Sequence, residues 1–183
     1  SFLLYKFSLF EDVLLSIRPY ILKNLVDSLS IAIGLIAIIM AFMFRSKAML
    51  FASLVTNLIP IFTVLGILSW LGVSIRPPTA MTFSVALGIA VDDSLHFLLR
   101  YRKELSNGLN KREAVQETIK NTGSALMITT SVLVGGFSIL FLSAFLPTYQ
   151  FGLLAASMIA CALTCDLTLL PALCLILPKP TKN

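Results

Sequence analysis

The stretch Thr79-Ala-Met-Thr-Phe-Ser84-Val-Ala-Leu-Gly88-Ile-Ala-Val-Asp92-Asp93-Ser-Leu-His96-Phe-Leu-Leu99 decides the fold. At about 1.5 Å per helical residue it is long enough to cross the roughly 30 Å of bilayer hydrocarbon. It also holds two adjacent acids and a histidine, which a spanning helix does not carry without a use. On either side lie apolar runs of similar length. Ser28–Phe44 stops at Arg45-Ser46-Lys47, and Ala48–Leu71 contains no charge. Ser124–Leu146 and Tyr149–Leu177 follow, the last with Asp166 inside it. Hydrophobic residues make up 57% of the chain and charged residues 13%, with mean hydropathy +0.93. A soluble domain carries about 25% charge. The expected fold is therefore all-α: a polytopic bundle of five spanning helices whose solvent is lipid. The first run extends backward through Leu25 and Val26, and the last is long enough to require tilt.

The connectors set the organisation. Gly72 to Pro78 and Leu146-Pro147-Thr148 are breaks. Arg100 to Thr122 is the one long link. Within it Asn110 reads as an N-cap, and Lys111 to Lys120 as a polar helix with Ala114, Val115 and Ile119 on one side, lying on the membrane surface. One side of the membrane gathers ten of the chain's 14 Lys and Arg residues: Arg45, Lys47, the group from Arg100 to Lys120, Lys179 and Lys182. Lys6, Arg18, Lys23 and Arg76 fall on the other. The basic side is expected in the cytoplasm, with the N-terminus outside and the C-terminus inside the cell membrane. Residues 1–27 then end an extracytoplasmic domain, 28–178 form the membrane domain, and 179–183 are a cytoplasmic tail. The first stretch, with Glu11 and Asp12, is not a signal peptide.

Several chemistries are disfavoured. Cys161, Cys165 and Cys174 form neither a disulfide framework nor a zinc site, and no metal, cofactor or nucleic-acid partner is expected. A single histidine cannot build HExxH, and neither Val91-Asp92 nor Cys165-Asp166 supplies the motif of an intramembrane aspartyl protease. No catalytic residue is assigned and no enzyme is expected. What remains is a polar cluster. Ser84, Gly88, Asp92, His96 and Arg100 share one stripe at spacing four, with Asp93 about 100° away. Asp92, Asp93, Asp166, His96, Thr129 and Thr130 fall at comparable depth and suit proton binding, because burial lets a carboxyl load and release a proton. His96 is read either as part of this cluster or as a residue near the inner surface. Thr129 and Thr130 either meet the acids or bond their own backbone. Gly88, Gly152, Ala156 and Ala160 are expected to let helices approach closely. Gly135-Gly136 is read as a packing site, and Asn57 as serving a backbone group freed by Pro60.

The segment Gly88-Ile-Ala-Val-Asp92-Asp93-Ser-Leu-His96-Phe-Leu-Leu-Arg-Tyr-Arg102 resembles the RND superfamily of permeases, and most of all the MMPL-type exporters related to Patched and the sterol-sensing-domain proteins. Phe44-Arg45-Ser46, Asn57-Leu-Ile-Pro60, Ala114 to Thr122, Thr129-Thr-Ser131, Phe151-Gly152, Ala162 to Leu167 and Leu170-Pro171-Ala172-Leu173 continue the resemblance in order. It implies twelve helices in two halves, this chain being the five-helix C-terminal one. It implies a proton-driven exporter of hydrophobic or lipid-like molecules, with Asp92 and Asp93 as relay acids. Its partners would be the bilayer, protons, and either the N-terminal half of the same permease or an oligomeric partner. The rival expectations are a sterol-sensing-type lipid-binding regulatory domain and a SecDF-like protein-export accessory. Asp93-Ser94 departs from the Asp-Ala-Asn of the latter.

Overall fold

The computed structural model describes residues 2–44, 46–70 and 77–178. Its helices are α1 (Phe2–Phe44), α2 (Lys47–Trp70), α3 (Pro77–Ser106), α4 (Lys111–Thr118), α5 (Ser124–Ser138) and α6 (Leu146–Ile176). A π-turn, Ile119–Gly123, joins α4 to α5, and a 3-10 turn, Ile139–Leu142, ends α5. Five stretches are long and apolar enough to cross a membrane: Val26–Phe44, Lys47–Trp70, Thr82–Ser106, Lys111–Leu142 and Leu146–Ile176. The protein is a multi-pass helical membrane protein, as its hydropathy requires.

α6 is the central element and packs against α2, α3 and α5, while α1 touches only α2 and α3 among the long helices. The outer faces are apolar, as Ile38, Phe42, Phe62 and Val132 show. The buried apolar residues fall into two clusters. One holds Phe44, Met49, Phe97, Tyr101, Ala114 and Leu170; the other holds Ile61, Leu68, Phe83, Leu87 and Met158. Along every helix the buried polar residues sit between the two: Ser53, Thr56 and Asn57 on α2, Asp93 and Ser94 on α3, Thr130 on α5, Asp166 on α6. The bundle therefore has a polar layer closed above and below by hydrocarbon.

The α3–α4 link ties the helix ends at one side. Tyr101 Oη donates to the Cys174 carbonyl at 3.1 Å, and Arg102 Nη1 to the Met43 carbonyl at 3.0 Å. Lys111 Nζ donates to the carbonyls of Leu175 and Leu177. These cations and the phenol satisfy carbonyls that the ends of α1 and α6 leave without intrahelical partners.

Several expectations need revision. The first helix runs back to Phe2, well before Ser28, with Pro19 inside it. Asn110 is the N-cap of α4 as read, in a capping box with Glu113. That helix does not lie alone on the membrane surface. Ala114 and Val115 are buried in the bundle core, Ile119 is exposed, and the π-turn makes α4 continuous with α5. Gly135 and Gly136 pack against nothing, since an added Cβ at either would meet no atom within 4 Å. Gly152 is a tight contact: a Cβ there would lie 2.6 Å from Leu140 Cβ and 2.7 Å from the Phe137 carbonyl oxygen. Ala156 is also buried, but Ala160 is exposed. Four residues turn a helix by about 400°, so a spacing-four stripe drifts about 40° per step and leaves the interface. Gly88 is exposed too, with open space around it, and lets no helix approach closely. Arg45, Gly72 to Arg76 and the 179–183 tail lie outside the described residues.

Candidate functional site

α3 buries two adjacent stripes, Asp93-Phe97-Tyr101 and Ala90-Ser94-Leu98. The third stripe, with Gly88, Asp92 and His96, faces outward. Which acid is buried follows from this rotation. Asp93 is 9% exposed, and Thr130 Oγ1 donates to its Oδ2 at 3.2 Å across the α3–α5 contact. Asp166 is 1% exposed on α6, and neither of its carboxyl oxygens has a hydrogen-bond partner. Asp93 lies within electrostatic reach of it. The layer thus gathers two carboxyls and a hydroxyl from three helices.

A second group holds α2 against α3. Asn57 Nδ2 donates to Ser94 Oγ at 2.8 Å and to the Ser53 carbonyl at 2.8 Å. Ser94 Oγ in turn donates to the Val91 carbonyl at 3.1 Å. Asn57 thus serves the α2–α3 contact, not a carbonyl freed by Pro60. Sequence reasoning missed Ser53 and Ser94. The one available signal was a serine and an asparagine at spacing four in a helix without charge.

The remaining residues line an open groove of about 850 Å³ between α3 and α5, bordered by Gly88, Asp92, His96, Lys103, Thr129 and Leu133. Asp92 and His96 face each other at 3.7 Å, one helical turn apart, with side chains 66% and 62% exposed. Thr129 opens into the same groove and bonds only its own helix, at the carbonyls of Ala125 and Leu126. The six suspected residues therefore divide. Asp93, Thr130 and Asp166 form a closed core, whereas Asp92, His96 and Thr129 form a groove wall. The sequence placed Asp92 nearest the threonines, and the fold gives that contact to Asp93. No group of three or more His, Cys, Asp or Glu side chains among the described residues could hold a metal ion.

With five spans around a polar layer of paired acids, the comparison with known families is direct: the profile of the MMPL family matches residues 18–180. The chain belongs to the MMPL family. An MMPL relative, a membrane protein of Methanocaldococcus jannaschii, is 31% identical over 152 residues, 82% of this chain and 39% of its own length. The trehalose monomycolate exporter MmpL3 of Mycolicibacterium smegmatis is 28% identical over 82 residues, 44% of this chain and 8% of the exporter. The multidrug resistance protein MdtC of Cronobacter sakazakii is 25% identical over 167 residues, 88% of this chain and 16% of MdtC. SecDF of Thermus thermophilus, a translocon-associated membrane protein, has the same fold, with a TM-score of 0.74 at 21% identity over 83% of this chain and 21% of that one. The chain spans well under half the length of each of these relatives. MMPL membership makes it an RND/MMPL-type membrane transporter domain, as the resemblance of Gly88 to Arg102 implies.

Proposed function

We propose that this MMPL domain is the proton-coupled membrane half of an exporter of hydrophobic or lipid-like molecules, and that Asp93, Thr130 and Asp166 form its proton site. The observation that carries this is Asp166. An ionised carboxylate sealed among apolar helices without a donor or cation costs several kcal/mol. A neutral carboxyl in the same place costs far less, so the position is suited to holding a proton. Asp93 beside it is the natural second station, with Thr130 orienting its carboxyl. Asp92 and His96 continue the path along the groove toward the basic side of the molecule. The substrate class rests on the relative named as a trehalose monomycolate exporter.

The groove also bears on the partner. Side chains of Asp92 and His96 cannot face hydrocarbon cheaply at this depth. A second membrane half, from the same permease or another copy, covers the α3–α5 face in the working protein. The domain sits in the cell membrane with its basic connector in the cytoplasm. The fold shared with SecDF is compatible with a protein-export accessory role instead. The two are separated by asking which cargo drives proton entry.

The test is proton flux into liposomes holding the complete protein, followed with a pH-sensitive dye while export is measured. Asp166→Asn and Asp93→Asn should each abolish proton-coupled export at normal folded yield. Asp92→Asn should impair it less. Wild-type export by the Asp166→Asn and Asp93→Asn variants would refute the site.

A further inference from the structure

α5 is bounded by two opposite departures from regular helix. The π-turn Ile119–Gly123 is underwound and holds one residue more than an α-turn needs. The 3-10 turn Ile139–Leu142 is overwound. Over its four residues a 3-10 turn gains about 80° of rotation and about 2 Å of rise relative to α-helix. One surplus residue in the π-turn sets the following helix back by about 100° and 1.5 Å. The two defects nearly cancel. Both ends of Lys111–Leu142 therefore stay where an uninterrupted helix would put them, while Ser124–Ser138 is displaced by one residue.

Thr130 consequently occupies the place that Thr129 would hold in a regular helix. We infer that Ser124–Ser138 has two registers, and that relaxing both defects to α-helix turns Thr129 into Thr130's position beside Asp93. The surroundings suit such an exchange. α4 is anchored by its capping box and by Lys111 on the last carbonyls of α6, so the turning begins after it. Asn121 Nδ2 donates to the Glu117 carbonyl at 2.8 Å and supplies the widened turn with an extra donor. Gly135 and Gly136, with open space around them, put the most deformable residues just before the overwound end. The sequence offers a hydroxyl in either register, and Thr129 now bonds nothing but its own helix. That this exchange would regulate a proton site rests on the function proposed above. The registers themselves can be measured without it.

The measurement is disulfide trapping in the full chain, with Cys161, Cys165 and Cys174 changed to alanine. Asp93→Cys is combined in turn with Thr130→Cys, Thr129→Cys and Ser131→Cys. Because the acid is gone, the result reports register and not proton coupling. The first two pairs should both cross-link, and the Ser131→Cys pair should not. Deleting Asn121 removes the surplus residue and should invert the ratio in favour of the Thr129→Cys pair. Cross-linking of the Thr130→Cys pair alone overturns the inference, as does equal linking of all three. If the deletion variant does not fold, the three pairs in the undeleted chain still decide.

Discussion

Removing the Thr130 hydroxyl strands the Asp93 carboxyl that it serves in a site closed to water. Thr130→Val should lower stability by about 1–3 kcal/mol, the desolvation cost of an unsatisfied buried group. Thr129→Val should stay within about 0.5 kcal/mol, because its hydroxyl only doubles backbone bonds at an exposed position. Denaturant unfolding in detergent compares the two, and equal losses would show that the Asp93 bond is not what matters. The same contrast marks how far single residues could be read in advance. That acids and hydroxyls in spanning segments belong together follows from the cost of placing them in lipid. Which of Asp92 and Asp93 is buried, and which threonine meets it, depends on helix rotation. Gly88, His96 and the serines fit either rotation, so composition along α3 left the choice open. Asp166 was legible as an acid in a spanning run. Its lack of any partner was not, because that depends on what α2, α3 and α5 fail to bring to it.

Helices follow from length and hydropathy with little help from tertiary packing, and this is why all five spans could be found. Their bounds moved where polar residues continue a helix past the hydrocarbon, as at Leu99 to Ser106 in α3. The join of α4 to α5 could not be read. A shift from i→i+4 to i→i+5 bonding leaves no mark in Ile119-Lys-Asn-Thr-Gly123. Close approach is also a property of pairs of elements, not of small residues in one. Gly152→Ala should cost about 1–3 kcal/mol, since the new methyl meets Leu140 and a backbone oxygen that cannot withdraw easily. Gly88→Ala should be neutral or stabilising by up to about 1 kcal/mol, having open space and a better helix former. Thermal unfolding of the two variants checks this, and a destabilised Gly88→Ala would mean that the groove is filled. Asn110→Ala should lose about 1 kcal/mol with its capping box, visible as faster hydrogen exchange in α4.

At the scale of the molecule the basic residues set the orientation. A cysteine introduced in the Arg100 to Thr122 connector should resist an impermeant thiol reagent in intact cells, while one near Arg76 should react. The opposite labelling would invert the topology. The length of α1 has a mechanical consequence. Its 43 residues make a rod of about 65 Å, and the bilayer core takes up only about 30 Å of it. The rest projects as a lever whose short arm is the span packed on α2 and α3. A tilt of about 10° in that span carries Phe2 through about 6 Å. Pro19, which lacks a backbone donor, is the place where the lever can flex. Small rotations in the polar layer are thereby amplified at a point far from the membrane, with α1 as the transmission.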